Sequence, residues 1–298
     1  MKIAVLMSTY NGHRFLNQQL ESLANQTIAE NITIYIRDDG SSDDTIEIIE
    51  AWKKQIDIIF YRCSNVGPAK SFWELFLNKN IQADYYAFCD QDDIWDADKL
   101  EVSIRKLKND VCLYACNCRI IDENEKILQQ KYMSVPLEIS IPKLFISGIA
   151  QGCAMTFTNA LREYILGLDI SCVTMHDSTI MLYAVVFGKV YWDEVPHFGY
   201  RAHSNNVVAK DNKNFWQKLK TTYKGWKNES QNSKCRVAAD LINNVESIEK
   251  YDLEFLQNVA NYRKSFISKV KLLFTKEVIG MPKRNVNSYR MRIILNLY

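Results

Sequence analysis

The sequence predicts an α/β protein with a mostly parallel sheet, helices on both of its faces and a helical C-terminal extension. Apolar, β-rich runs alternate four times with amphipathic helical patterns in the first 110 residues, which is typical of a parallel sheet. From about residue 215 the chain reads as helices rich in Lys, Asn and aromatic residues. With 47% hydrophobic and 24% charged residues, the 298-residue chain is globular and not disordered.

The parallel part is predicted from its strands and the helices between them. Strands are predicted at Ile3–Met7, Ile32–Ile36, Ile56–Tyr61 and Tyr85–Cys89. Helices are predicted at Arg14–Gln26, at Thr45–Lys54, from Pro68 to about Asn78, and at Ala97–Leu107. Pro68 suits the first turn of its helix. The apolar run at the start of the chain is short, and polar residues follow it directly. We therefore interpret it as a strand and not as a signal peptide.

Beyond residue 110 the predicted pattern is mixed. A strand at Val111–Ile121 is followed by a long loop to about residue 140. The remaining elements are a strand at Cys153–Phe157, helices at Asn159–Leu166 and Asp177–Phe187, and strands at Lys189–Val195 and Phe198–Ala202. We therefore predict an α/β domain at 1–209, with halves 1–110 and 111–209, and a basic helical region at 210–298.

Charge and cysteine usage narrow the function classes. From residue 210 onward the chain has 18 Lys and Arg against 8 Asp and Glu, whereas residues 1–209 have 19 against 27. An acidic body with a basic tail suggests that the tail meets an anionic partner. The eight cysteines form no Cys-x-x-Cys pair, which favours buried thiols in a reducing, cytoplasmic compartment.

Polar clusters follow each of the first four predicted strands. They are Thr9-Tyr10-Asn11, Asp38-Asp39, Asn65 with Gly67, and Asp90-Gln91-Asp92-Asp93. Parallel sheets bind ligands at the carboxyl ends of their strands, so these clusters mark one ligand site. The carboxylates of the last cluster repel one another, and a bound cation would relieve that repulsion. Oxygen ligands suit Mg²⁺ or Mn²⁺, which complete their shell with substrate phosphates. The alternative is an acidic turn that caps the next helix.

The ordered series of motifs carries a family resemblance. The motifs are STYNG (8–12), RDDGSSDDT (37–45), NVGPAKSF (65–72), DQDDIW (90–95), QGCAMTF (151–157), HDS (176–178) and YRAHSNN (200–206). In this order they resemble the inverting family-2 glycosyltransferases of the GT-A fold over about the first 205 residues. DQDDIW and the His-Asp pair look most like bacterial rhamnosyltransferases of surface-polysaccharide assembly.

The resemblance implies a donor-nucleotide site. Its residues would be Thr9, Tyr10, Asp39, Lys70 and Asp90. Tyr10 would pack on the base, and the Asp39 carboxylate would accept from the ring N–H of a pyrimidine. Lys70 would pair with base or diphosphate, although at a helix start it can equally face solvent. Asp92 and His203 would ligate Mn²⁺ or Mg²⁺, with Asp90 supporting them.

The resemblance also implies an acceptor site and a base. Asp177 matches the carboxylate that takes the proton of the acceptor hydroxyl in an inverting transfer. Its other interpretation is a helix cap. The family usually has Glu before this Asp, and here His176 stands there, so its role as an acceptor contact or a supporting residue is open. Gln151 and Gly152 match the acceptor-side loop.

The basic tail has two interpretations. Aromatic and lysine residues alternate at helical spacing between 215 and 227, and basic and apolar residues mix again at 289–298. Such a pattern suits either a peripheral contact with an anionic membrane or a helical subdomain that packs on the body.

The expected function is a non-processive glycosyltransferase, since the Gln-x-x-Arg-Trp signature of processive synthases is missing. The donor is expected to be dTDP-rhamnose, with a UDP-hexose as the alternative and a saccharide or lipid-linked saccharide as acceptor. A sugar-phosphate nucleotidyltransferase is the strongest rival, but STYNG supplies only one glycine for a phosphate loop. A dinucleotide-dependent oxidoreductase lacks its Gly-x-Gly-x-x-Gly, and the acidic body opposes nucleic-acid binding.

Overall fold

The structure, a computed structural model, describes residues 1–107, 110–134, 138–147, 151–202, 233–245 and 248–298. The described residues fall into two units. The first contains the described residues up to 134, 151–166 and 175–202, and the second contains 138–147, 167–174 and the described residues from 233 onward. The two short segments of the second unit were expected in the first domain. The predicted boundary at residue 209 lies outside the described residues.

One sheet of nine strands organises the first unit. The strands are β1 (Ile3–Thr9), β2 (Ile32–Asp38), β3 (Ile58–Arg62), β4 (Tyr85–Cys89), β5 (Ile94–Trp95), β6 (Cys112–Ile121), β7 (Ile127–Gln129), β8 (Met155–Thr158) and β9 (Lys189–Arg201). Their order is β3-β2-β1-β4-β8-β6-β9-β5, and β7 pairs with β6. The first four are mutually parallel, as predicted, and β8 runs antiparallel to β4.

Helices cover the sheet and build the second unit. They are α1 (Leu16–Ala24), α2 (Thr45–Trp52), α3 (Pro68–Leu77), α4 (Lys99–Lys106), α5 (Ile141–Ile146), α6 (Asn159–Leu166), α7 (His176–Phe187), α8 (Ser233–Asn244), α9 (Lys250–Asn261), α10 (Phe266–Leu273) and α11 (Lys283–Ile294). The buried Leu16, Leu20 and Leu23 of α1 share a core with alternate residues of β1 and β2. This arrangement confirms the predicted fold class.

Three predicted elements differ in detail. The two short strands before residue 202 are one strand, β9, because the backbone passes Pro196 with a shift of register against β6. Proline cannot donate to a ladder and is accommodated at such a bulge, so it shifts the strand without ending it. Helix α7 begins at His176, one residue earlier than predicted, and the predicted loop before residue 140 contains β7.

The second unit is held by buried polar contacts among its helices and segments. The Asp240 carboxylate accepts hydrogen bonds from the backbone N–H groups of Ser171 and Cys172, both at 3.0 Å. The hydroxyl of buried Tyr298 donates to the Phe145 carbonyl at 2.6 Å. Across the part of the chain that the structure describes, each helix is too short or too polar to cross a bilayer.

Candidate functional site

The candidate site lies at the carboxyl ends of the parallel strands in the first unit. Thr9 is in register with Asp38 at the ends of β1 and β2, and Met7 is in register with Cys89 near the end of β4. The polar segments that follow these three strands therefore begin at the same edge of the sheet, as predicted.

Asp38 orders the loop after β2. Its carboxylate accepts from the Thr9 hydroxyl at 3.0 Å and from the backbone N–H groups of Gly40 and Ser41 at 3.1 and 2.9 Å. Gly40 has a φ of 84°, a conformation that favours glycine. Thr9 and Asp38 are both fully buried, so in the structure Thr9 contributes to the shape of the loop.

Asp39 joins two loops through a buried ion pair. Its Oδ1 accepts from the Arg37 guanidinium at 2.5 Å and from the Val66 N–H at 2.9 Å, while Oδ2 accepts from the Gly67 N–H at 2.8 Å. The two charged side chains are only 3% and 5% exposed. The sequence interpretation passed over Arg37, although it stands directly before the acidic pair in RDDGSSDDT. Contact between Asp39 and a base stays a prediction.

Gln91 joins the loop after β1 to the acidic turn after β4. Its side-chain amide accepts from the Tyr10 N–H at 2.9 Å and donates to the Tyr10 carbonyl at 3.1 Å. A Cβ at Gly12 would lie 2.3 Å from Gln91 Oε1, so a larger residue there would displace the Gln91 amide from this bridge. The Tyr10 side chain is 50% exposed beside this bridge. Gln91 was missed as a contributor, although it lies within the DQDD motif.

Lys70 lies at the start of α3 with its side chain 65% exposed. Its Nζ is 3.8 Å from Glu74, one turn further along the helix. The next residue, Ser71, is buried and exchanges a 2.6 Å hydrogen bond with Ser8 of β1. The first turn of α3 is therefore fixed to the sheet through Ser71, and a contact between Lys70 and a donor stays a prediction.

The acidic turn places carboxylates beside a thiol. Asp90, Asp93 and Cys153 each have one ligand atom within 4.8 Å of the others, and Asp92 lies outside that group. Burial and then the Asp92 charge raise the pKa of Asp90 to about 7 and hold the pKa of Asp93 well above its usual range. Crowded carboxylates with raised pKa values fit a site that a divalent cation would stabilise.

Arg201 supports the acidic turn from β9. Its Nε donates to the Asp92 carbonyl at 2.9 Å, its backbone N–H donates to Asp93 Oδ1 at 3.2 Å, and its guanidinium also reaches the Glu123 carbonyl at 3.0 Å. The side chain is fully buried. Its role was missed although it lies in the YRAHSNN motif. His203, the predicted metal ligand, lies outside the described residues.

Asp177 lies close to the acidic turn and to Gln151 and Gly152, which are predicted to form the acceptor-side loop. Because α7 begins at His176, Asp177 is in the first helical turn, where its carboxylate accepts from the Ser178 N–H at 2.5 Å. Its charge contributes to the raised pKa of Asp90. A Cβ at Gly152 would lie 3.5 Å from the Asp177 Cβ, so this glycine approaches the helix start closely. Gln151, beside it, lies with Oε1 3.9 Å from Cys118 Sγ.

His176 is buried between aromatic rings. It is 4% exposed, stacks on Phe72 at 4.1 Å between ring centroids and meets Phe88 edge-on at 4.7 Å. Neither ring nitrogen has a hydrogen-bond partner among the described residues, and a Cβ at Gly152 would lie 2.6 Å from Nε2. Burial lowers its pKa to about 4 despite the nearby Asp177 charge, so the imidazole is neutral at physiological pH.

The low pKa of His176 predicts acid-sensitive folding. The folded-state pKa of about 4 lies below the ordinary value of 6.5, so the unfolded chain takes up the proton first as the pH falls. Stability is therefore lost from about pH 6.5 down to about pH 4, by about 3 kcal/mol for this group. We expect the free energy of unfolding of His176→Gln, measured with urea at several pH values, to fall less steeply across this range. Parallel curves for the two proteins would contradict the assignment.

Comparisons with known proteins identify a family. The model of glycosyl transferase family 2 matches residues 4–165. An uncharacterized glycosyltransferase of Rickettsia typhi is 25% identical over 209 residues, which are 67% of this chain and 64% of that protein. The chain thus spans slightly less than two thirds of that relative. The dTDP-rhamnosyl transferase RfbG of Shigella flexneri is 27% identical over 225 residues, 68% of this chain and 73% of RfbG.

Solved structures share the fold at low sequence identity. S. aureus TarS 1–349 in complex with UDP-GlcNAc gives a TM-score of 0.63 at 13% identity, covering 100% of this chain and 82% of TarS 1–349. The mannosyltransferase PcManGT from Pyrobaculum calidifontis, in complex with GDP-Man and Mn²⁺, gives 0.60 at 14% identity, covering 100% of this chain and 87% of PcManGT.

Proposed function

Because the chain belongs to glycosyl transferase family 2, we propose that it is an inverting, non-processive enzyme that transfers one sugar from a nucleoside diphosphate to a saccharide or lipid-linked saccharide. The observation that carries the proposal is that the acidic turn and Asp177 both lie beside the Gly152–Cys153 segment: Cys153 Sγ is within 4.8 Å of Asp90 and Asp93, and a Cβ at Gly152 would lie 3.5 Å from the Asp177 Cβ. A donor diphosphate and an acceptor hydroxyl have to meet at such a place.

The donor we propose first is dTDP-rhamnose, supported by the similarity to RfbG. A UDP-hexose is the alternative, supported by the fold shared with the UDP-GlcNAc complex of TarS. In either case Tyr10, 50% exposed beside the acidic turn, would pack on the base. Asp39 would reach the pyrimidine with the lone pairs that its loop contacts leave free. Lys70 would approach the base or the diphosphate.

A divalent cation, Mn²⁺ or Mg²⁺, would be held by Asp92 and His203, with Asp90 as a supporting contact, and the Mn²⁺ complex of PcManGT supports this choice of ion. When bound, the cation stabilises negative charge on the departing diphosphate. The oxygen donors of the acidic turn fit such an ion, and Arg201 fixes the backbone that presents Asp92.

Asp177 is the proposed base. An inverting transfer needs one carboxylate to take the acceptor proton as the hydroxyl attacks opposite the leaving group. Asp177 stands in the first turn of α7, beside Gln151 and Gly152 of the predicted acceptor-side loop. His176, the first residue of α7, is neutral and stacks on Phe72, which fixes the position of this helix start.

A thermal-shift screen of nucleoside diphosphate sugars, each with and without Mn²⁺ or Mg²⁺, tests the proposal. We expect one donor class to raise the Tm only when metal is present, by the several degrees that saturating ligand produces in a domain of this size. The free nucleoside diphosphate should raise it less. Equal shifts with and without metal, or no shift with any donor, would contradict the proposal.

A peripheral contact with anionic membrane at the cytoplasmic face is also proposed, and described residues support it. Residues 263–298 hold nine Lys and Arg against one acidic residue. Helices α10 and α11 and their flanking residues expose large apolar side chains among these charges. They are Phe266, Ile267, Phe274, Ile279, Met291, Ile294 and Leu295, between 43% and 80% exposed. Basic and apolar side chains together suit a lipid surface. The aromatic segment at 215–227 lies outside the described residues.

The membrane contact predicts a lipid-dependent effect of two surface phenylalanines. We expect the full chain to co-sediment with phosphatidylglycerol vesicles and not with phosphatidylcholine vesicles, and added salt should weaken binding. The double variant Phe266→Ser with Phe274→Ser should bind at least about tenfold more weakly, since each side chain would bury apolar area in the lipid. Leu128→Ser, 58% exposed in the first unit, is the matched control. Unchanged binding of the double variant would contradict the contact.

A further inference from the structure

A group of three ligand atoms lies at the acidic turn, and two of them, on Asp93 and Cys153, have no role in the proposed transfer. Asp90, Asp93 and Cys153 bring one carboxylate oxygen each and the thiol sulfur within 4.8 Å of one another. Asp93 and Cys153 are fully buried, and Asp90 is the half-buried member of the group. An ion that reached this group would therefore meet Asp90 first.

Asp93 carries the unsatisfied atom of the group. Its Oδ1 accepts from the Arg201 N–H at 3.2 Å, but Oδ2 is buried and has no partner in hydrogen-bonding geometry among the described residues. A buried carboxylate oxygen without a partner is costly, and it is normally paired with a donor or a cation. The other members of the group are the Asp90 carboxylate and the Cys153 thiol, which is hydrogen-bonded to the Asp93 carboxylate, and together these atoms are able to hold a cation.

The sulfur decides which cation fits. Mg²⁺ prefers an all-oxygen shell, whereas a thiolate selects softer ions such as Zn²⁺ and Cd²⁺. We propose that Asp90, Asp93 and Cys153 form a binding site for a thiophilic divalent cation, separate from the Mg²⁺ or Mn²⁺ role proposed for Asp92. When the ion binds, the Cys153 S–H bond breaks, its proton leaves to solvent and a sulfur–metal bond forms.

The site has a consequence for the transfer reaction, which rests on the proposed function. Asp90 belongs both to this group and to the proposed donor site. A soft ion held by Asp93 and Cys153 would draw Asp90 away from the donor, so Zn²⁺ or Cd²⁺ would inhibit Mn²⁺-dependent donor binding. Replacing Cys153 would remove most of this inhibition.

The test is a titration of Cd²⁺ into the full chain without nucleotide, followed by the ultraviolet sulfur-to-cadmium charge-transfer absorption. We expect a saturable phase in the wild type that Cys153→Ser loses, with Cd²⁺ affinity at least about tenfold lower. Cys116→Ser is the matched control, because Cys116 is also buried, lies on the neighbouring β6 and donates to the Ala154 carbonyl. Should Cys153→Ser fail to fold by circular dichroism, Cys153→Ala replaces it, and Asp93→Asn should lower the affinity in the same direction.

The outcomes separate this site from the proposed function. A charge-transfer phase that is unchanged in Cys153→Ser, or lost equally in Cys116→Ser, would overturn the site. If the charge-transfer phase depends on Cys153 but the protein binds no nucleotide sugar, the cation site is supported. That result would count against the proposed transfer reaction and not against the cation site. Where donor binding is found, Cd²⁺ should inhibit it in the wild type and at least about tenfold less strongly in Cys153→Ser.

Discussion

Asp177→Asn is expected to lower kcat for sugar transfer by about 10²–10⁴, because the variant keeps the shape of the side chain but cannot take the acceptor proton. The dissociation constant of the donor should change little, since the proposed donor contacts lie on other loops. The measurement is steady-state transfer with the donor found in the thermal-shift screen, together with donor titration by calorimetry. The structure supports the assignment because Asp177 is near enough to the acidic turn to influence the pKa of Asp90.

The control for Asp177→Asn is Asp98→Asn. Asp98 is also an aspartate close to a helix start, but its side chain is 53% exposed and it lies before α4. We expect its activity to match the wild type. A variant of Asp177 that retains more than about a tenth of the wild-type kcat would exclude it as the base, since general-base catalysis contributes more than that. A parallel loss of donor affinity would instead indicate a structural role.

Asp39→Ala is expected to destabilise the protein by about 3 kcal/mol or more, measured as the free energy of unfolding in urea. Removal of the carboxylate leaves the buried Arg37 guanidinium with Glu74 as its remaining carboxylate and deprives two backbone N–H groups of their acceptor. Breaking a buried ion pair in this way costs about 3–5 kcal/mol. The lost hydrogen bonds lie in the loops that the donor is proposed to contact. We therefore expect Asp39→Ala to lower the affinity for the donor as well as the stability of the protein.

Two variants show whether the buried charge is the cause. Asp57→Ala removes an aspartate that accepts from the Thr33 hydroxyl near the surface, and it should cost less than about 1 kcal/mol. The double variant Arg37→Met with Asp39→Leu should be more stable than Asp39→Ala, because it leaves no buried guanidinium that has lost its buried carboxylate partner. A double variant that is less stable than the single one would show that Arg37 stabilises the protein through its remaining contacts with Glu74 and Ser71.

The parallel half of the fold follows from the sequence because its signals are local. Apolar strand runs and helix patterns alternate there, and the strands predicted at Ile3–Met7 and Tyr85–Cys89 are present as the parallel pair β1 and β4. Pro196 shows where local signals fail. A proline at this position predicts the end of a strand. In the structure the strand continues beyond Pro196, because β9 stays paired with β6 through a β-bulge.

The site could be predicted in part for the same reason. The polar clusters lie at strand ends, so their placement follows from the parallel sheet, and the structure brings Asp90 near Asp177. The contributions of Gln91 and Cys153 depend on contacts between segments that are about 60 to 80 residues apart, such as the Gln91–Tyr10 hydrogen bonds. Sequence spacing does not reveal such contacts. His176 was recognised as a departure from the family pattern, but its burial between Phe72 and Phe88 required the structure.

The acidic turn is proposed to hold a metal that binds a nucleoside diphosphate sugar, and calorimetric titration of the donor measures that metal dependence. The wild type should bind the donor in Mn²⁺ and lose most of that affinity when the metal is chelated. Asp92→Asn should bind equally weakly with and without Mn²⁺, whereas Asp98→Asn should behave as the wild type. Donor binding that is independent of metal in the wild type, or metal-dependent binding that survives in Asp92→Asn, would contradict the account.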